Sequence, residues 1–181
     1  MKRILSAVIW ASVFILVFCA HPMFSADHHA DKIKAAAIRV EMIQSDEIKL
    51  PAEFQVALYE NLVRQLEKQG GFQRVYRDGD RSAENDANLV VLHSTVRGFK
   101  AGSERARRVT TVVGATSITV HCLFTDASGN TLLERDVNGK VRFFGGNLKA
   151  TNDFAKKATH VASENFSSLA TGADQMAKSA H

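Results

Sequence analysis

The chain has 181 residues, of which 45% are hydrophobic and 23% charged, with a formal net charge of +4. That much apolar material supports one packed core and excludes a globally disordered chain. Pronounced nucleic-acid affinity does not follow from so modest a charge.

The N-terminus supplies the clearest signal. Lys2 and Arg3 precede a run without charge over residues 4–20, and the chain turns polar by Asp27. This is the basic start, apolar middle and cleavage zone of a secretory signal. The expected cut follows Ala26, with Ala20 the other candidate. Each cut leaves a Phe (Phe24, Phe18) at the third position before it, where a small residue fits better. Two alternatives stay open. Residues 4–20 could remain as an anchor near the lower length limit for crossing a bilayer. Cys19 could instead carry a lipid: Leu16 suits such a site, while Phe18 stands where a small residue belongs. Loss of Lys2 and Arg3, with no acid lost, takes the charge from +4 to +2. The expected location is periplasmic or secreted, the alternative an outer-membrane lipoprotein or an N-terminally anchored protein. Cys122 is then a lone cysteine, so an intrachain disulfide is excluded.

The expected organisation is a signal over residues 1–26, a polar lead-in over 27–34, one domain over 35–170 and a polar tail over 171–181. Residues 35–43 alternate, with Ala36, Ile38, Val40 and Met42 opposite Arg39 and Glu41, which predicts a strand. Pro51 and Glu53 then open a helix whose Phe54, Leu58, Leu62 and Leu66, supported by Tyr59 and Val63, share one face. Gly70 and Gly71 end it. A short strand over 72–77 follows, then a polar loop over 78–88. Leu89, Val90, Val91 and Leu92 open the next strand and are apolar on both sides, which predicts a central position with both faces covered. Residues 98–108 are basic, glycine-containing and non-periodic, hence a loop. Extended structure returns over 109–126, interrupted at Gly114. Its second half sets Ile118, Val120, Cys122 and Phe124 against Thr119, His121 and Thr125. A tight turn at residues 126–130, with Gly129 suited to positive φ, leads into a hairpin arm over 131–144. Gly145 and Gly146 end that arm. The last helix is predicted over 151–170, with Phe154, Ala155, Ala158, Val161, Ala162, Phe166 and Leu169 as a narrow stripe of mostly small residues. The order β-α-β-β-β-β-α predicts an α+β fold, a single mixed or antiparallel sheet packed by two amphipathic helices.

The strongest charge cluster is Arg97, Lys100, Arg105, Arg107 and Arg108, relieved by Glu104. Arg forks donate paired hydrogen bonds to carboxylates and phosphates, so an anionic partner is the functional reading; a solvated loop is the plain one. His93, His121 and His160 have no metal-ligand spacing and read as structural. Residues 126–137 fail as a calcium loop, because Gly129 comes too early and Val137 occupies the place of the bidentate Glu. A cut after Ala26 would leave Asp27, His28 and His29 as a terminus able to ring Cu(II) or Ni(II) in a square plane; a metal-indifferent tail is the plain reading. No Ser lies in a Gly-x-Ser-x-Gly elbow. Cys122 alternates with buried-face residues and reads as a small hydrophobe. Paired carboxylates fall only in the loop at Asp78–Asp86, where solvation explains them. No catalytic site and no cofactor is expected.

Taken together, Ala87 to Leu92, Val96 to Phe99, the basic loop, Gly114, the stretch from Thr125 to Glu134, and Phe143 to Gly146 before the last helix resemble the bacterial exported-protein family called Domain of Unknown Function 4410. The helix from Phe54 to Leu66 followed by Gly71, Phe72 and Val75 fits the same pattern. The resemblance spans roughly residues 35–169 and rests on order and spacing. It implies export, often as a lipoprotein, and implies no agreed biochemical activity. The expectation is therefore a non-catalytic binding or scaffolding module of the bacterial envelope. Its partner would be an envelope protein or an anionic envelope component, with membrane contact only if the N-terminus is retained or lipidated. The alternative is a membrane-tethered subunit that oligomerises by pairing sheet edges. A hydrolase of envelope polymers would need two carboxylates facing each other in a deep cleft.

Overall fold

A computed structural model describes residues 31–69, 71–109, 114–141 and 146–168. The expected signal, Cys19, the Asp27-His28-His29 terminus, Phe143, Phe144 and the polar tail lie outside these residues.

The elements run β1 (Ile33–Lys34), β2 (Ala37–Val40), α1 (Ala52–Gln69), β3 (Arg74–Arg77), a 3-10 turn (Arg81–Asn85), β4 (Leu89–Lys100), α2 (Glu104–Val109), β5 (Thr116–Asp126), β6 (Thr131–Val141), α3 (Lys149–Asn165) and β7 (Phe166–Ser167). Five strands form one sheet in the order β3-β2-β4-β5-β6. β2 pairs in parallel with both β3 and β4, while β4, β5 and β6 are antiparallel. The α+β expectation is met, and β4 sits at the centre as its doubly apolar start requires.

The helices cover one face. On α1, Phe54, Leu58, Tyr59, Leu62, Val63 and Leu66 are buried, the four-residue spacing read from the sequence. The Tyr59 hydroxyl adds a polar tie, accepting from the Asp78 amide at 2.9 Å. The α3 stripe buries Ala150, Thr151, Phe154, Ala155, Ala158, Thr159 and Ala162. Its small side chains let α3 lie almost on the sheet. A Cβ built at Gly139 of β6 would fall 2.2 Å from the Ala150 carbonyl oxygen and 2.7 Å from Phe154 Cβ. Asn61 of α1 donates to Thr151 Oγ1 of α3 at 2.8 Å and sets the two helices side by side.

On the opposite face a smaller cluster of Ala37, Ala83, Leu89 and Val91 is roofed by the 3-10 turn, with Tyr76 packed against it. That turn starts at Asp80, whose carboxylate accepts from the Ser82 amide at 3.0 Å. Beyond it, no described element covers this face along β4, β5 and β6.

Four predicted boundaries are corrected. The strand expected over 35–43 is shorter, β2 at Ala37–Val40 with the two-residue β1 before it; beyond Val40 the alternation fails, with Met42 half exposed and Ile43 buried. The loop expected over 98–108 is not a loop: β4 continues to Lys100, and Glu104–Val109 is helical, with Ser103 Oγ accepting from the Ala106 amide at 3.2 Å. Alternation along β5 carries no information about Val109, which belongs to α2. The last helix stops at Asn165, because Phe166 turns extended and pairs with Ile33 as the start of β7. Phe166 is buried as expected, but through ring contacts with Phe72 and Phe124 at centroid distances of 5.9 and 5.3 Å.

The sheet edges are protected against pairing. β3 is four residues long. On the outer edge of β6, Asp153 Oδ2 accepts from the Lys140 amide at 2.8 Å and Lys157 Nζ donates to the Asn138 carbonyl at 3.0 Å. Further along, Arg135 Nη1 donates to the Glu134 carbonyl at 3.1 Å. Charged side chains occupying outward backbone groups are how edge strands avoid adding another strand.

Candidate functional site

Four of the five basic residues singled out in the sequence gather at one end of the sheet. Arg97 is the extra residue at a bulge between Val96 and Gly98, a device that re-aims a side chain. It is half exposed and reaches Glu47 at 4.0 Å. Lys100 ends β4, and Arg105 and Arg108, both exposed, lie three apart on α2 and so share a side of that short helix. Arg107 is on α2 too.

The arm they form has a firm root. The Gly102 amide donates to Thr116 Oγ1 at 3.0 Å, and the same hydroxyl, on a fully buried residue, donates to Asn147 Oδ1 at 2.7 Å. One hydroxyl thus ties the arm, the start of β5 and the approach to α3. Gly102 must be glycine here, since a Cβ would lie 2.1 Å from the Gly114 carbonyl oxygen. Gly114 takes φ +93° two residues before β5.

A second polar array, on the open face, was not anticipated. His121 Nδ1 lies 2.8 Å from Asp136 Oδ1 and its Nε2 lies 3.3 Å from Glu134 Oε1. These three, with Arg135, line a hollow of about 460 Å³. One strand away, His93 Nδ1 meets Glu41 Oε2 at 2.6 Å and its Nε2 meets Thr125 Oγ1 at 3.2 Å. Arg39 lies 3.6 Å from the same Glu41. Register explains the array: His93 opposes Leu123, Thr95 opposes His121, and His121 opposes Asp136. All are on the sheet face away from the helices. Two smaller hollows adjoin the 3-10 turn, one of about 330 Å³ lined by Arg39, Gly79, Asp80, Arg81 and Glu84, one of about 220 Å³ floored by Leu89 and Val91.

The histidines are satisfied by side-chain partners on the surface, His160 by Glu164 at 3.1 Å. The two carboxylates at His121 sit on opposite ring nitrogens and so do not converge on one point where an ion could bind. Among the described residues no group of three or more His, Cys, Asp or Glu is placed to hold a metal. Cys122 is fully buried; burial pushes its thiol up to about 12, against the opposing pull of the Ser94 hydroxyl. It is inert as a nucleophile, as its position in the alternation suggests. Asp126 is the turn residue expected: its carboxylate accepts from the Ser128 and Asn130 amides at 2.8 and 2.9 Å, and Gly129 takes φ +87°.

Among the described residues no helix is long and apolar enough to cross a membrane. No family model matches the chain, and no curated protein matches it. Solved structures do. The PelC dodecamer from Paraburkholderia phytofirmans matches with a TM-score of 0.53 at 14% identity, over 73% of this chain and 89% of that one. A variant of the same protein in another crystal form matches at 0.52 and 15%, over 72% and 88%. A minor lipoprotein from Acinetobacter baumannii aligns at 0.43 and 18%, over 72% of this chain and 94% of that one. At such identities the PelC match establishes a shared fold.

Proposed function

We propose that the chain is an exported, non-catalytic binding or scaffolding module of the bacterial cell envelope, with the basic arm of Arg97, Lys100, Arg105, Arg107 and Arg108 as its contact for an anionic partner. One observation carries this reading. The arm is rooted by Thr116 at the end of the sheet opposite the entry of the chain at Ile33. β4 is twelve residues long, so the arm stands about 40 Å from that entry.

The rest of the surface supports a binding role over a catalytic one. Its His and carboxylate groups lie on a flat, wet sheet face and are engaged with one another. Catalysis wants convergent groups in a site that excludes water. The kinship with Domain of Unknown Function 4410 belongs to the same proposal and agrees with export.

The test is crosslinking in native envelope of the wild type and of Arg105→Gln/Arg107→Gln/Arg108→Gln. The variant is expected to fold normally and lose the captured anionic partner; unchanged capture removes the arm from the proposal. A second reading, a homo-oligomeric subunit, is favoured by the fold shared with a dodecamer. Sizing of protein recovered from the envelope separates the two.

A further inference from the structure

We infer that the anionic partner of the basic arm is a second copy of this chain, which receives the arm on its open sheet face at the hollow of His121, Glu134 and Asp136. This rests on the arm being a contact surface and names its partner.

Charge distribution is the first argument. Residues 97–108 hold five basic side chains and one acid, a net +4. The rest of the chain after Ala26 holds sixteen basic and eighteen acidic side chains, a net −2. The positive excess is thus concentrated in the arm, while acids such as Glu134 and Asp136 stand elsewhere on the chain. Such a contact joins unlike patches and repeats from copy to copy, which closes into a ring or extends into a filament.

The second argument is where the acids stand. Glu134 and Asp136 are 60% and 61% exposed at their side chains, yet both are held in place by His121, itself 21% exposed. Preorganised carboxylates suit a guanidinium fork, which gains most when neither partner must be ordered on contact. Arg135 lines the same hollow but turns back to the Glu134 carbonyl. Half-buried Leu123, with Thr95 and Thr119, gives the face a less polar centre beside the acids.

Geometry supplies the third argument. Edge-to-edge pairing of copies meets a four-residue strand on one side and, on β6, backbone groups taken by Asp153 and Lys157. The open face is the remaining extended surface of the sheet. Beyond the roofed Leu89 and Val91, over β4, β5 and β6, it measures about 14 Å by 30 Å, roughly 400 Å². A stable interface takes about 800 Å² from each partner, so the face needs an added element, and the arm supplies it.

The experiment uses protein expressed with its own N-terminal segment and recovered from the envelope, sized by light scattering and native mass spectrometry. Three samples are compared with the wild type: Arg105→Glu/Arg108→Glu, Glu134→Lys/Asp136→Lys, and their equimolar mixture. Each variant alone should dissociate at a concentration at least about 100-fold higher than the wild type, since like charges then face each other. The mixture should reassemble with the two chains alternating, because each contact again joins opposite charges. Assembly of either variant at wild-type concentrations overturns the inference, as does a mixture of two folded variants that stays apart. A monomeric wild type also overturns it. In that case, loss of envelope crosslinks in the arginine-to-glutamine variant would keep the arm as a contact for a different anion.

Discussion

Gly139→Ala tests the packing on which the architecture rests. The substituted Cβ would stand 2.2 Å from the Ala150 carbonyl oxygen, 2.7 Å from Phe154 Cβ and 3.0 Å from the Phe154 amide nitrogen. The first two distances are too short for real contacts, and neither neighbour is the loose end of a long side chain. Relief requires the start of α3 to retreat by roughly 1 Å, a gap that forfeits a quarter to a half of each dispersion contact along the interface. Overpacking of this kind costs about 1–3 kcal/mol. The narrower unfolded ensemble of alanine returns about 0.4–1 kcal/mol, so the net expectation is a loss of about 1.3 kcal/mol. With a urea slope of about 2 kcal/mol per molar, the midpoint falls by about 0.6 M. The control is Gly98→Ala, whose Cβ would meet Thr119 at an ordinary 3.7 Å and should shift stability by no more than about 0.5 kcal/mol. Equal midpoints for wild type and Gly139→Ala, or equal losses for both variants, would refute the close approach of α3 to the sheet.

Thr116→Val removes the hydroxyl that joins Gly102 to Asn147; a cost of about 1–3 kcal/mol is expected, with faster trypsin cleavage after Arg105 and Arg108 than in wild type under native conditions. Cys122, with its thiol pushed up to about 12 by burial, should react with a thiol reagent at neutral pH only as fast as the protein opens, so labelling rates should track urea. Asp126 is held below its ordinary range, chiefly by the Asn130 side chain and amide. A lowered folded pKa gives stability that is present above the unfolded value, near pH 4, and lost as pH falls through the folded one. Asp126→Ala should therefore flatten the acid limb of a stability-against-pH profile below about pH 4 and leave its slope at neutral pH unchanged.

What was legible in the sequence was whatever repeats with a period. The α1 face, the inward side of β5 and the central place of β4 follow from spacing alone, because each element buries one face or two. The β5–β6 turn was equally legible, since Asp126 and Gly129 are the residues such a turn demands. Short elements set by tertiary contacts were missed. β7 exists because Phe166 finds Ile33, 133 positions earlier, a pairing no local pattern announces. α2 has too few residues to show a period and takes its cap from Ser103. The array around His121 was within reach: once the turn is placed, hairpin register puts Asp136 opposite His121 and Glu134 opposite Leu123. Looking at residues singly, by metal-ligand spacing, hid a relation that only exists across two strands.

The two faces of the sheet divide the work of this chain. The helix face is closed with alanine and glycine, so α3 lies flush and its Asp153 and Lys157 reach around the edge of β6 to occupy backbone groups there. That same reach occupies two outward backbone groups of β6. The open face is left to side chains, chiefly charged or hydrogen-bonding groups fixed by neighbours on the next strand, around half-buried Leu123. A surface so arranged suits binding by charge and shape with little ordering cost. The arm that would meet it belongs to the same chain but stands at the far end of the sheet, beyond the bulge at Arg97. In the proposed assembly a neighbouring copy receives the arm with the Thr116 root intact.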